Sequence, residues 1–147
     1  MEKRTGSTVY TKNAKETEKL GEEFSKNLKG GETISLVGDL GGGKTTFVKG
    51  LARGLRVSGE ITSPTFIILN LLRGKSGKFL CHVDLYRLEQ ITDLREVGLE
   101  ECINDKNTIT VIEWGERIKK YLPQDTITIE FDFIDKNTRG VLISGKQ

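Results

Sequence analysis

Hydrophobic positions recur along the chain with two different spacings, and these spacings predict alternating helices and strands. Apolar and small side chains repeat every three or four residues over 13–28, which predicts an amphipathic helix with Asn13 as its N-cap and "KGGE" as its end. The same spacing over 44–55 predicts a second helix. A third helix is predicted over 92–103, opened by Thr92 with an acidic residue behind it.

Short apolar runs between these helices predict the strands. The predicted strands cover 33–38, 65–73, 78–84, 108–114, 125–133 and 139–144. The second and third flank "GKSG" and predict an antiparallel hairpin, and the fourth is followed by a short helix to Tyr121. This order of elements predicts an α/β sandwich, with a mostly parallel mixed sheet flanked by helices and with an antiparallel hairpin and edge.

Length and composition restrict the protein class. The 147 residues and two prolines predict a single domain over 1–147, with no linker. "MEKRTGSTVY" lacks the apolar stretch of a secretory signal, and Cys81, Cys102 and the one histidine, His82, do not form a usual zinc pattern. A cytoplasmic protein with reduced thiols is therefore expected. The net charge of +2 is too small to predict nucleic-acid binding by bulk electrostatics.

The stretch "GDLGGGKTT" lies between the first predicted strand and the second helix, and it matches the phosphate-binding pattern G-x-x-x-x-G-K-(S/T). Glycines allow a tight turn whose backbone N–H groups point inward to phosphate oxygens, and the following helix adds its positive end. Lys44 is expected to contact the β and γ phosphates, and the Thr45 hydroxyl is expected to bind Mg²⁺. The predicted ATP contacts in this loop are Gly38, Asp39, Leu40, Gly41, Gly42, Gly43, Lys44, Thr45 and Thr46.

Two predicted strands end in an acid, at Asp84 and at Glu113. In open α/β sheets the ligand lies beyond the carboxyl ends of the strands, so both carboxylates are expected to face the nucleotide. One would hold Mg²⁺ and the other would position or deprotonate the attacking water, and the sequence does not decide which does which. Together with Lys44, these two acids are the predicted catalytic residues.

Three further features of the sequence indicate a function less specifically. "ITSPTF" contains Ser63 and Thr65, whose hydroxyls would suit a switch segment that senses the γ phosphate, although a plain turn before a strand explains them equally well. Trp114 is more consistent with core packing than with base stacking. His82 is interpreted as a half-buried strand histidine rather than a catalytic one.

In this order, "GDLGGGKTT", "SPTF", "HVDLYRL", "EVGLEE" and "IEWGE" resemble the TsaE (formerly YjeE) family of bacterial P-loop ATPases, from about Thr11 to the final strand. The resemblance implies Mg²⁺-dependent hydrolysis of ATP in the synthesis of threonylcarbamoyladenosine at position 37 of tRNA. It implies TsaD and TsaB as partners, with hydrolysis that is slow until they are present.

The resemblance also implies roles for individual residues. Asp84 matches the acid of the family's D-L-Y-R segment, and Glu113 matches the acid before tryptophan, which implies a metal ligand. Adenine contacts are implied near Thr11 and Arg139. Gly42 stands where alanine is frequent in the family, and this change leaves the phosphate loop intact.

Two other functions are compatible with a phosphate loop. A small-molecule or nucleotide kinase would need an acceptor pocket and usually an arginine-bearing lid, and neither is visible in the sequence. A non-hydrolysing scaffold would use ATP binding alone to assemble its partners. Lys49, Arg53 and Arg56 recur at roughly helical spacing and could contact tRNA, although a solvated helix face and an indirect effect on tRNA are the simpler interpretation.

Overall fold

The computed structural model describes residues 8–38, 43–58, 69–86 and 98–145, and the strands of this part of the chain form one sheet. In chain order the elements are β1 (Val9–Thr11), α1 (Ala14–Ser25), β2 (Thr33–Gly38), α2 (Lys44–Gly54), β3 (Leu69–Arg73), β4 (Phe79–Asp84), α3 (Leu99–Asn104), β5 (Thr108–Glu113), a 3₁₀ helix (Gly115–Tyr121), β6 (Ile127–Phe133) and β7 (Arg139–Ser144).

The sheet is parallel in its centre and antiparallel at both sides. Its strand order is β1-β7-β6-β2-β5-β4-β3. Strands β6, β2, β5 and β4 run parallel to their neighbours, whereas β3 pairs with β4, and β7 with β6 and β1, in antiparallel fashion. This arrangement confirms the predicted α/β fold with its hairpin and antiparallel edge.

The predicted elements agree with the structure in type, and they differ mainly at their ends. The side chain of Asn13 accepts a hydrogen bond from the backbone N–H of Glu16 at 2.8 Å, so the predicted N-cap of α1 is confirmed. Helix α1 ends at Ser25, before "KGGE". Helix α3 begins at Leu99, and Thr92, its predicted start, lies outside the described residues.

The strand β1 has no counterpart among the predicted elements. It has three residues, and two of them, Val9 and Tyr10, are exposed. A strand this short has no apolar alternation to recognise. It forms because β7 offers a free edge, on which Thr11 lies opposite Arg139.

Each face of the sheet has its own hydrophobic core. Helices α1 and α2 cover one face, where Phe47 and Leu51 pack with Ile34, Leu80 and Val111. The second cluster, on the other face, contains Cys81, Val83, Leu85, Leu99, Cys102, Ile112 and Ile118. Because side chains alternate along a strand, residues 82 and 84 share the α2 face with Leu80, and residue 113 shares it with Val111.

Cys81 belongs to this second cluster. It is fully buried and forms no disulfide. Burial raises the pKa of the Cys81 thiol, and a hydrogen bond with Cys102 raises it further. The thiol is therefore expected to remain protonated and unreactive.

Helices α1 and α2 approach closely at two glycines. A Cβ atom at Gly50 would lie 1.7 Å from the Glu18 carbonyl oxygen, and one at Gly21 would lie 2.2 Å from the Phe47 carbonyl oxygen. Arg53 of α2 also pairs with Glu18 at 3.0 Å.

In the described ranges no helix has the length and apolar character needed to cross a bilayer.

Candidate nucleotide-binding site

The turn between β2 and α2 begins and ends on glycines with left-handed backbone angles. Gly38 has φ of 132° and Gly43 has φ of 101°, a region that favours glycine. A Cβ atom at Gly38 would also lie 2.3 Å from the Phe131 carbonyl oxygen. These two positions therefore need glycine for backbone reasons. The intervening residues Asp39, Leu40, Gly41 and Gly42 lie outside the described part of the chain.

Lys44 lies at the first position of α2 and is 5% exposed. Its ammonium group donates a hydrogen bond to the Gly38 carbonyl oxygen and lies 3.8 Å from the centroid of the Trp114 ring. The face of an indole ring attracts a cation, so Trp114 and the backbone together hold the ammonium at the mouth of the turn.

Trp114 follows β5 in a left-handed conformation, with φ of 64°. Its backbone N–H donates to the Leu36 carbonyl oxygen at 3.0 Å, and its ring lies 5.2 Å from that of Tyr86, centroid to centroid. The ring packs against the second core cluster, as the sequence predicted, and it also contacts Lys44.

Glu113 is the centre of a short chain of hydrogen bonds beneath the turn. Its Oε1 accepts from the Thr45 hydroxyl at 2.8 Å, and its Oε2 lies 2.6 Å from Nε2 of His82. Glu113 is 3% exposed and His82 is fully buried. The interpretation of His82 as half-buried was wrong, because α2 covers the strand face on which the ring lies.

Asp84 lies directly opposite Glu113 across the β4–β5 pair. Its Oδ1 accepts from the backbone N–H of Tyr86 at 3.0 Å. Partial burial raises the pKa of Asp84, and the nearby Glu113 adds to this effect, while the Tyr86 N–H, His82 and Lys44 oppose it. The structure therefore brings both predicted acids to the mouth of the turn.

The oxygen atoms at this point fit a magnesium ion. The Thr45 hydroxyl and the carboxylates of Glu113 and Asp84 are hard donors of the kind that Mg²⁺ prefers. Over the described residues, no group of three or more His, Cys, Asp or Glu side chains could hold a metal. Mg²⁺ usually binds through one or two carboxylates together with substrate phosphates, so this small set is suitable.

Arg139 lies close to the start of α2, and Thr11 lies opposite Arg139 on the neighbouring strand. The hydroxyls of Thr11 and Thr17 share a hydrogen bond of 2.6 Å. A Cβ atom at Gly43 would lie 3.4 Å from Cγ2 of Thr17 and 3.7 Å from Cγ of Arg139. The Arg139 guanidinium also lies 4.4 Å from the centroid of the Phe133 ring. Of the two residues predicted to contact adenine, Arg139 thus borders the turn directly, whereas Thr11 is connected to it through Thr17.

The structure describes some of the remaining predicted site residues and not others. Thr46 is half-buried in the first turn of α2, whereas Ser63 and Thr65 lie outside the described residues. Sequence reasoning assigned no role to Glu116, whose Oε2 accepts from the backbone N–H of Gly38 at 3.2 Å. The signal for it was its place at the end of "IEWGE".

Comparisons with known proteins identify the family of this chain. Residues 11–141 match the family model described as "Threonylcarbamoyl adenosine biosynthesis protein TsaE". The tRNA threonylcarbamoyladenosine biosynthesis protein TsaE of Treponema pallidum is 38% identical over 91% of this chain and 97% of its own length. Its counterpart in Aquifex aeolicus is 40% identical over 94% of this chain and 96% of its own length.

A solved structure shows the same fold. The crystal structure of YdiB from Bacillus subtilis covers 100% of this chain and 88% of its own, with a TM-score of 0.77 and 26% sequence identity. The family match extends over most of the chain and includes the turn, both strand-end acids and Arg139. The chain belongs to the TsaE family.

Proposed function

We propose that this protein hydrolyses ATP to ADP and phosphate with Mg²⁺, as its part in the synthesis of threonylcarbamoyladenosine in tRNA. The observation that carries the proposal is the 2.8 Å contact between the Thr45 hydroxyl and the Glu113 carboxylate, beside Lys44 at the mouth of a glycine turn. A phosphate loop with an adjacent acid is the arrangement of P-loop NTPases, in which a Ser/Thr hydroxyl and an Asp together hold Mg²⁺. The family's name supplies the pathway.

Each residue of the site has a separate proposed role. Lys44 exchanges its contact with Gly38 for the β and γ phosphates, because phosphate is a stronger partner for an ammonium than a neutral carbonyl. Thr45 and Glu113 hold Mg²⁺ when it is bound, which neutralises charge on the phosphates. The raised pKa of Asp84 supports a role as the group that orients or deprotonates the attacking water. Thr11 and Arg139 border the adenine.

Hydrolysis is proposed to be slow until TsaD and TsaB are present. Support comes from Lys44, whose ammonium is already engaged by the Gly38 carbonyl and the Trp114 ring and must move before it can act. A partner that completes the site can supply this rearrangement, as activating proteins do for other P-loop enzymes.

Contact with tRNA is proposed to be indirect, since Arg53 is paired with Glu18 and Glu22 of α1. The proposed location is the cytoplasm.

The steady-state ATPase rate of the pure protein, alone and with the TsaB–TsaD pair, tests this proposal. We expect a low rate that rises sharply when the pair is added. A rate unchanged by the pair would contradict the partnership. Transfer of the γ phosphate to a small molecule, with release of ADP but not of free phosphate, would favour the kinase alternative. Tight ATP binding with no turnover would favour the scaffold.

Lys44→Ala tests the phosphate contact directly. We expect ATP affinity to fall by about two orders of magnitude, since a charge-assisted contact to phosphate is lost, as measured by calorimetric titration. Lys49→Ala is the matched control, because Lys49 is an exposed lysine on the same helix. Equal affinity for the two variants would exclude a phosphate-binding role for Lys44.

A further inference from the structure

We infer that His82 is a positioning residue for Glu113. Its Nε2–H donates to Oε2 of Glu113 and leaves Oε1 directed at Thr45, so that the carboxylate is fixed before Mg²⁺ and nucleotide bind. The consequence for turnover rests on the proposed function, but the hydrogen bond itself does not. In this role His82 acts through Glu113 alone and takes no part in nucleotide contact or proton transfer.

The geometry leaves the carboxylate little freedom. Each of its two oxygens has a separate partner, at 2.6 Å on β4 and at 2.8 Å on α2. Glu113 is 3% exposed, so water does not replace either contact at low cost. A buried carboxylate held from two opposite elements is confined to one orientation. Partners that orient a ligand in this way typically alter metal affinity or activity when they are removed.

The sheet register explains why a histidine can reach this carboxylate. On the β4–β5 pair Asp84 lies opposite Glu113, and His82 lies opposite Val111. His82 is therefore the diagonal neighbour of Glu113 on the face that α2 covers. The two side chains are long enough to meet from these positions, as the 2.6 Å contact between Nε2 and Oε2 shows.

The second ring nitrogen argues against a role in packing alone. An ionised carboxylate only accepts hydrogen bonds, so the Glu113 bond places the proton on Nε2. Nδ1 is buried and has no hydrogen-bond partner within the described ranges. An apolar side chain would fill this space without burying an unpaired nitrogen. The bond to Glu113 is thus the one polar contact of the ring that the described residues provide.

Two conservative variants separate positioning from packing. In His82→Gln the amide nitrogen can take the place of Nε2, whereas in His82→Asn the shorter side chain reaches only the place of Nδ1. Both variants bury one amide, so they share the cost of a polar side chain in the sheet. Thr110→Val is the matched control, because Thr110 is a buried residue of β5 on the opposite face whose hydroxyl has no partner in the described structure.

The first measurement is ADP affinity by calorimetry, with Mg²⁺ and with EDTA. We expect His82→Asn to reduce the Mg²⁺-dependent part of the affinity about 10- to 100-fold, and to leave the affinity in EDTA unchanged. His82→Gln and Thr110→Val are expected to stay within a few-fold of wild type. Equal Mg²⁺ dependence in the Asn and Gln variants would overturn the proposal.

The second measurement uses the fact that His82 is the only histidine of the chain. In ¹H–¹⁵N spectra of the nucleotide-free protein we expect a single imidazole, protonated at Nε2, whose signals shift in Glu113→Gln. A neutral ring protonated at Nδ1 alone, or signals that Glu113→Gln leaves unchanged, would overturn the proposal even if the Asn variant does not fold. A wild-type ADP affinity that ignores Mg²⁺ would instead contradict the proposed function, and these spectra would still decide the hydrogen bond.

Discussion

The two strand-end acids, Asp84 and Glu113, lie opposite each other in the same sheet, yet their surroundings are very different. Glu113 is almost fully buried and has a side-chain partner on each oxygen. Asp84 is only partly buried, and the hydrogen bond described for it comes from the backbone N–H of Tyr86. One carboxylate is held on both oxygens inside the protein, and the other is partly exposed.

The position of each acid is set by its own strand, whereas its burial and its hydrogen bonds are set by residues of other elements. The pattern of two apolar runs that end in an acid brings both carboxylates to one edge of the sheet. Their environments come from neighbours on other elements, since Glu113 is contacted by His82 and Thr45. A rigid carboxylate suits a metal ligand, whereas a carboxylate with a raised pKa near the opening suits contact with water.

Neutral isosteres should separate these roles, and this is the largest effect we expect. Glu113→Gln should remove most of the Mg²⁺ dependence of ADP binding, because one hard anionic ligand is lost. Asp84→Asn should retain that dependence and lower turnover by about 10²–10⁴-fold, the usual contribution of a general base. Calorimetry and ATPase assays with the TsaB–TsaD pair measure the two quantities.

Two results would contradict the assignment of Glu113 as the metal ligand and Asp84 as the residue that contacts water. If Asp84→Asn loses the Mg²⁺ dependence and Glu113→Gln keeps it, the two roles are exchanged. If both variants lose it equally, the carboxylates act as one joint site. In either case the difference in burial would have no functional meaning.

A smaller effect concerns stability and pH. The raised pKa of Asp84 means that its ionised form costs the folded state free energy. This cost is absent below about pH 4, where the unfolded chain also binds the proton, and it appears as pH rises through the folded-state pKa. Asp84→Asn, which stays neutral, should therefore raise the melting temperature at pH 7 and not at pH 4, in protein free of nucleotide and Mg²⁺.

Asp135→Asn is the control of opposite sign for this experiment. Hydrogen bonds from the backbone N–H groups of Asn137 and Thr138 lower the pKa of Asp135, so its ionised form favours the folded state above the unfolded-state pKa, and that gain is lost as pH falls. Because Asp135 is exposed, we expect Asp135→Asn to lower the melting temperature at pH 7 only slightly. A fall for Asp84→Asn at pH 7 would show that its carboxylate is favourably paired.

Local sequence patterns predicted more of the fold than of the site. The N-cap at Asn13, the start of α2 directly after Gly43 and the parallel strand ends follow from nearby residues and appear in the structure. The strand β1 could not be predicted, because its three residues depend on pairing with β7. The tetrapeptide "DKNT" occurs at 105 and again at 135, and in each tract the aspartate accepts a hydrogen bond from the backbone N–H two residues later.

The site depended on contacts between residues distant in sequence. His82 and Glu113 are 31 positions apart, and nothing in the sequence around either one indicates the other. Only the register of β4 with β5 makes them neighbours, and a shift of one residue would turn His82 away from the carboxylate. A sequence pattern can therefore nominate the acids but not the residues that orient them.

The contact between Lys44 and Trp114 has a practical consequence. Trp114 is the only tryptophan of the chain, and its ring lies 3.8 Å from the ammonium group expected to move onto phosphate. Its intrinsic emission therefore comes from one indole beside the nucleotide turn, with no background from other indoles. The protein carries its own optical probe, and rapid mixing can follow the departure and return of that charge during a catalytic cycle without an attached dye.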